Sequence, residues 1–152
     1  MKNILIVKLS SIGDVIHALP VSYAIKETYP EAHLTWVVEP PAYDIVAMDA
    51  CVDEIIVFRK KEFRSPGGFL RAFGPLKEKL QARRYDAVLD LQGLFKSAAI
   101  AYLAPAPKGR KYGMWNMREG SQLVSAPVVG PHAHAHVIER YLDVARAIGC
   151  AV

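Results

Sequence analysis

The chain has 152 residues, which is one domain's worth and enough to bury a sizeable core. Its composition, 52% hydrophobic and 22% charged with no internal repeat, excludes an extended disordered or solenoid protein. A formal charge of +4 favours anionic partners, but no nucleic-acid module accompanies it, so we expect no nucleic-acid partner. Cys51 and Cys150 have no metal or disulfide pattern, and the N-terminal apolar run is too short for a secretion signal. These features predict a cytoplasmic protein with free thiols.

The first strand is the clearest element. Ile4–Val7 is an unbroken aliphatic run, which predicts a parallel strand buried on both faces. A turn ending at Gly13-Asp14 follows. Since Pro20 interrupts the helical pattern, we expect a short turn up to Leu19 and a helix from Pro20 to Tyr29.

The remaining pattern alternates strands with helices. The further predicted strands are His33–Val38, Glu54–Phe58, Ala87–Leu91 and a brief strand near Lys111 and Tyr112. The further predicted helices are Tyr43–Met48, a helix reaching Arg83 after a loop from Arg59 to Pro75, Ser97–Leu103 and His136–Ile148. This order predicts an α/β fold with a doubly wound, Rossmann-like parallel sheet.

Asp14 is the most informative polar residue, because it follows the first strand at the end of the sheet where ligands bind in such folds. Three interpretations are open from the residues alone. Asp14 could be a helix N-cap, or it could act in catalysis. Ser10, Ser11 and Gly13 could instead present backbone N–H groups to a phosphate, although the turn has one glycine and lacks a dinucleotide or P-loop pattern.

Two other polar clusters have alternative interpretations. The basic run Arg59–Arg64 is either a solvated loop or an anion-binding segment. His132, His134 and His136 resemble a metal tract, but only the first and last would share a helical face and no carboxylate or cysteine completes a set nearby. We therefore expect no metal.

The segment ILIVKLSSIGDVIHALP closely resembles the amino terminus of bacterial lipopolysaccharide heptosyltransferases of glycosyltransferase family 9, most closely the heptosyltransferase I members. The resemblance continues in order along nearly the whole chain. It includes Trp36-Val37-Val38-Glu39, the run Asp90 to Ala98, Arg118-Glu119 after Tyr112-Gly113-Met114, and His136.

The resemblance implies inverting transfer of heptose from ADP-heptose to a Kdo hydroxyl of the lipopolysaccharide inner core. Asp14 would be the general base. Contacts to the anionic acceptor are implied for Lys8, Ser10, Arg59, Lys60, Lys61, Arg64, Lys96 and Arg118. Lys96 begins a helix, where a cation gains nothing from the dipole, so an external partner or packing of its stem is expected. For Arg118 an ion pair with Glu119 or Glu139 is the alternative.

The family has a two-domain GT-B architecture in which the C-terminal domain holds most of the nucleotide-sugar. Residues 1–152 would correspond to the N-terminal, acceptor-binding domain. We therefore expect no resident cofactor, little ADP-heptose binding by this chain alone, and a C-terminal donor domain as a partner. The other expected partners are a Kdo-containing lipid A acceptor and the anionic inner-membrane surface, to which the protein would be peripheral. A stand-alone acceptor-binding module without turnover is the alternative.

Overall fold

A wholly parallel six-stranded sheet forms the centre of the computed structural model, which describes residues 1–114, 121–130 and 136–151. The strands are β1 (Asn3–Val7), β2 (His33–Val38), β3 (Glu54–Val57), β4 (Ala87–Asp90), β5 (Lys111–Met114) and β6 (Ala126–Val128). Their order is β3-β2-β1-β4-β5-β6. Strands β2 and β3 are added on one side of β1 and strands β4 to β6 on the other, so the order of the strands reverses between β1 and β4. This doubly wound arrangement is the predicted one, and its ligand crevice lies at that reversal.

Helices cover both faces of the sheet. They are α1 (Ile12–Thr28), α2 (Tyr43–Ala47), α3 (Pro66–Gln81), α4 (Phe95–Leu103) and α5 (Val137–Ala147). Within β1, Ile4 and Ile6 join the core formed with α1, α2 and α5, whereas Leu5 and Val7 join the core formed with α3 and α4. Each face of β1 is therefore apolar, which explains why its sequence shows no polar alternation.

The prediction that α1 begins at Pro20 is wrong. The helix begins at Ile12 and continues through Pro20 to Thr28. Proline removes the hydrogen bond to the Ile16 carbonyl and costs about 3 kcal/mol in a helix interior. Ile16 lies on the exposed side of the helix, where water can solvate that carbonyl, and the buried residues Val15, Ala18 and Val21 hold the two halves against the sheet. Burial of that apolar face outweighs the local cost.

The predicted loop from Arg59 to Pro75 is also wrong, since α3 begins at Pro66. Ser65 is its N-cap and its Oγ accepts the Gly68 N–H at 3.0 Å, with Pro66 at the favoured first position. Gly68 looked like a loop residue, but a Cβ there would lie 2.3 Å from the Glu62 carbonyl oxygen. This glycine permits close approach of the preceding turn, Lys60–Phe63, rather than interrupting a helix.

The remaining elements agree with the predictions to within one or two residues, and β6 and a turn at Ser121–Leu123 were not predicted. Asp86 anchors the start of β1, because its Oδ2 accepts the backbone N–H groups of Lys2 at 2.6 Å and Asn3 at 2.9 Å. After α5 the chain turns at Gly149, whose φ is +103°. No described helix has both the length and the apolar character needed to cross a bilayer.

Candidate functional site

The turns that follow β1, β2, β3 and β4 meet at the carboxyl edge of the sheet. Because parallel strands end on the same side, four segments far apart in sequence come together there. Glu39 follows β2, the segment Arg59–Arg64 follows β3, and Asp90 ends β4. We call Arg59–Arg64 the basic turn. They surround the turn that carries Asp14.

Asp14 is solvent-exposed in the first turn of α1. Of the interpretations left open by the sequence, the N-cap is excluded, because Ser11 is the N-cap and Asp14 is the third helical residue. Its Oδ2 accepts the Ser11 hydroxyl at 3.1 Å and the Ser11 backbone N–H at 3.4 Å. This is the position of the acidic partner in a capping box, which fixes the carboxylate at the helix start while leaving it open to solvent.

A cavity of about 450 Å³ opens beside this turn. Its walls are the turn after β1, the turn after β2 and one residue of the basic turn; the lining residues are Leu9, Ser10, Ser11, Ile12, Gly13, Glu39, Pro41, Ala42 and Lys60. Gly13 lines the cavity and Asp14 does not, so Asp14 follows directly after the last lining residue of this turn. Of the predicted acceptor contacts, it brings together Ser10 and Lys60.

Asp90 and Gln92 hold the turn after β1 in place. The Gln92 Oε1 accepts the backbone N–H groups of Leu9 at 3.2 Å and Ser10 at 3.3 Å. Asp90 is fully buried and its Oδ1 accepts the N–H groups of Gln92 and Gly93, while Oδ2 accepts the Ser97 hydroxyl at 3.2 Å. Burial raises the pKa of the Asp90 carboxyl, although these hydrogen bonds oppose the shift.

Lys8 lies beneath the turn rather than in the cavity. It is buried, and its Nζ lies 5.4 Å from the centre of the Tyr141 ring of α5. Burial lowers the Lys8 pKa, while the charges of Asp14 and then Asp90 oppose that shift. Burial also raises the pKa of Tyr141 to about 12, with a further contribution from Asp14.

Lys96 has a partner within the chain. Its Nζ donates to the Glu39 Oε1 at 2.6 Å, and the Glu39 side chain is only 5% exposed. This ion pair joins the turn after β2 to the start of α4. It accounts for a cation at a helix N-terminus without the external partner that the sequence suggested.

All the charged residues of the basic turn are exposed, while Phe63 packs partly against the core. Arg59 forms an ion pair with Glu62 at 4.0 Å, while Lys60 faces the cavity. Lys61 and Arg64 lie on the same exposed turn, outside the cavity lining. The structure therefore places one of the predicted cations, Lys60, in the wall of the cavity, and Arg59 and Glu62 line a separate, neighbouring cavity.

A histidine pair lies at the start of α5. The rings of His17 and His136 are 5.3 Å apart and meet edge to face, and His136 Nδ1 accepts the Ile138 N–H as the N-cap of α5. Arg118, His132 and His134 lie outside the described residues. Among the residues that are described, no cluster of histidine, cysteine and carboxylate side chains could hold a metal ion.

The sequence interpretation gave no role to Glu39, Gln92 or Tyr141. Glu39 and Gln92 each follow a buried strand, and that position was the available signal. Tyr141 lies in α5, five strands after Lys8 in the chain, so only the fold reveals that it packs beside Lys8.

The comparisons with known proteins agree on one family. Residues 74–150 match the model of glycosyltransferase family 9 (heptosyltransferase). Lipopolysaccharide heptosyltransferase 1 of Escherichia coli is 40% identical over 118 residues, which cover 74% of this chain and 35% of that protein. Lipopolysaccharide core heptosyltransferase OpsX of Haemophilus influenzae is 28% identical over 148 residues, or 97% of this chain and 41% of that one.

A solved structure gives the same result for the fold. The E. coli heptosyltransferase WaaC with ADP superposes with a TM-score of 0.81 at 32% identity, covering 98% of this chain and 48% of WaaC. The chain thus spans about half of that solved protein and 35–41% of the two curated relatives above.

Proposed function

Since the chain belongs to glycosyltransferase family 9, the heptosyltransferases, we propose that it forms the acceptor-binding, base-carrying part of an inverting transferase. The donor would be ADP-heptose and the acceptor a Kdo sugar of the lipopolysaccharide inner core. The relatives above are named for heptose transfer to lipopolysaccharide, and WaaC has been solved with ADP and with a fluorinated ADP-heptose.

The observation that carries this proposal is the position of Asp14. An exposed carboxylate lies at the sheet reversal, in the residue next to a cavity of about 450 Å³ that could receive a sugar. Its hydrogen bonds to Ser11 orient the carboxylate. An oriented and accessible carboxylate at the mouth of a cavity is what a general base requires.

In the proposed reaction, the acceptor hydroxyl oxygen attacks the anomeric carbon of the heptose. The bond from that carbon to the ADP oxygen breaks, and ADP leaves with the electron pair. Asp14 takes the proton of the hydroxyl as negative charge develops on the attacking oxygen. Attack from the side opposite ADP inverts the anomeric configuration.

The acceptor's carboxylates and phosphates would meet the basic turn. Lys60 faces the cavity, and Arg59, Lys61 and Arg64 lie on the same turn. Arginine suits bidentate capture of a carboxylate and lysine attracts it as a point charge. Ser10 lines the cavity beside them, so its hydroxyl is available to a sugar hydroxyl.

We further propose that ADP-heptose is held chiefly by a C-terminal domain of a GT-B architecture, since the matched relatives are longer than this chain. The protein would act on the cytoplasmic side of the inner membrane as a peripheral protein. The alternative function is a stand-alone module that binds the acceptor through the same residues but does not transfer heptose.

Titration calorimetry with a water-soluble Kdo disaccharide tests the acceptor site. We expect Lys60→Gln to weaken binding about tenfold, the loss of one charge-assisted hydrogen bond. Lys108→Gln is the matched control, because Lys108 is an exposed lysine in the loop before β5 at the opposite edge of the sheet. If both variants bind like the unmodified chain, this cavity is not the acceptor site.

A further inference from the structure

An exposed apolar surface covers the outer side of α3 and α4, away from the cavity. Leu70 is 80% exposed, Phe95 67% and Tyr102 72%, and Phe69 is also exposed. Single exposed apolar residues are common on proteins, but a contiguous group indicates an interaction surface.

These side chains are contiguous. A groove of about 380 Å³ runs along α4, between Phe73 of α3 and the segment Leu123-Val124; its α4 lining residues are Phe95, Ala98, Ala99, Tyr102 and Leu103. Phe69 stacks on Phe73 with ring centres 5.3 Å apart, and Leu70 lies one turn before Phe73 on α3. We call Phe69, Leu70, Phe73, Phe95 and Tyr102 the α3–α4 apolar face.

Positive charge borders this face. Lys77 lies one turn after Phe73, and the Lys111 Nζ lies 5.9 Å from the Tyr102 ring centre. The basic turn joins it on a third side, since the Phe63 and Phe69 rings are 5.5 Å apart. No carboxylate lines the groove among the described residues.

We propose that the α3–α4 apolar face docks on an anionic lipid bilayer. Aromatic and aliphatic side chains would enter the boundary between headgroups and acyl chains, while the bordering lysines and arginines pair with lipid phosphates. The arrangement of an apolar centre bordered by Lys77, Lys111 and the basic turn complements such a surface, and Glu62 of that turn is paired with Arg59.

This inference rests on the proposed function, because a lipid-linked acceptor presents its sugars at the same bilayer. Phe95 begins α4 at the carboxyl edge of the sheet, directly before Lys96 and its partner Glu39, and Glu39 lines the cavity. Docking through this face would therefore bring the cavity next to the headgroup layer.

Vesicle co-sedimentation tests the proposal. The protein is mixed with vesicles of phosphatidylethanolamine and phosphatidylglycerol, and separately with vesicles of phosphatidylcholine. We expect partitioning only onto the anionic vesicles, and a fall on the order of tenfold for each of Leu70→Ser and Phe95→Ser. Lys61→Gln should reduce it about fivefold. Met48→Ser is the control, since Met48 is 77% exposed but follows α2 on the other layer.

Thermal melts establish that each variant is folded. Serine at these exposed positions should leave the fold intact. Unchanged partitioning of Leu70→Ser and Phe95→Ser overturns the proposal, and so does a loss of partitioning in Met48→Ser as large as theirs. So does a change in mass by light scattering with no vesicle binding, which would make the face a protein interface. Binding of the soluble Kdo disaccharide should survive in both serine variants, so failure of docking is distinguishable from failure of the acceptor site.

Discussion

Replacing Lys96 with methionine should destabilise the protein, because it leaves the Glu39 carboxylate buried without its partner. Methionine keeps the apolar stem of the lysine, so the change removes the charge and little packing. The perturbation is confined to one contact, the 2.6 Å hydrogen bond between Lys96 Nζ and Glu39 Oε1.

The magnitude follows from the burial of the pair. Removing one partner of a fully buried ion pair costs about 3–5 kcal/mol, because the other charge stays desolvated. The Glu39 side chain is 5% exposed but that of Lys96 is 30% exposed, so solvent screens the pair from one side. We therefore expect a loss of about 2 kcal/mol in the free energy of unfolding, between the fully buried and the surface values. For a chain of this size that lowers Tm by about 4–8 °C.

The assay is a double-mutant cycle measured by urea unfolding. Glu39→Gln with Lys96→Met buries no charge, so the double variant should recover at least half of the loss of the single Lys96→Met variant. A Lys96→Met variant as stable as the unmodified chain would refute the reasoning. A double variant no more stable than Lys96→Met would refute it as well.

Asp86→Ala should cost about 2–3 kcal/mol in urea unfolding, since two backbone N–H groups lose a charged acceptor. Those hydrogen bonds lower the pKa of Asp86. Their contribution to stability is therefore complete above the unfolded pKa of about 3.9 and is lost as the pH falls through the lower folded pKa. On acidification, the free energy of unfolding should thus fall less for Asp86→Ala than for the unmodified chain. Gly149→Ala should lower Tm by several degrees, because its φ is +103° and a Cβ would lie 2.7 Å from a tyrosine hydroxyl; an unchanged melt would contradict this. Changing Arg59, Lys60 and Lys61 to Glu should weaken acceptor binding in calorimetry and flatten its salt dependence, because exposed charges are screened over about 8 Å at physiological salt; unchanged affinity and salt slope would show a solvated surface only.

The first four strands were predictable because each contains a short apolar run, and the parallel order followed from their alternation with helices. The short, mostly exposed β6 has no such run and was not predicted. The starts of α1 and α3 were not predicted either. Pro20 and Gly68 carry strong local signals for a break, but tertiary packing outweighs the first and the second is needed for close approach to Glu62. Local preferences cannot report on contacts that form only after folding.

For the site, the sequence indicated the correct edge of the sheet but not how its residues are used. Three residues expected there do come together: Ser10 and Lys60 line one cavity, and Asp14 lies beside it. Lys96 was expected to face a ligand, yet its partner Glu39 lies 57 residues earlier in the chain. Ion pairs between distant turns depend on the register of the whole sheet, which no single segment encodes.

Single-turnover heptose transfer by an Asp14→Asn variant tests the central claim most directly. Residues 1–151 would be joined to the half of WaaC that this chain does not cover, with ADP-heptose and a Kdo-containing acceptor saturating. Asparagine can still accept the hydrogen bonds from Ser11 but cannot take up the acceptor proton, so we expect a rate about 10²–10⁴-fold lower with an unchanged Tm. Ser11→Ala, which leaves the carboxylate in place, should lose less than about tenfold. Transfer by Asp14→Asn at the unmodified rate would contradict Asp14 as the general base.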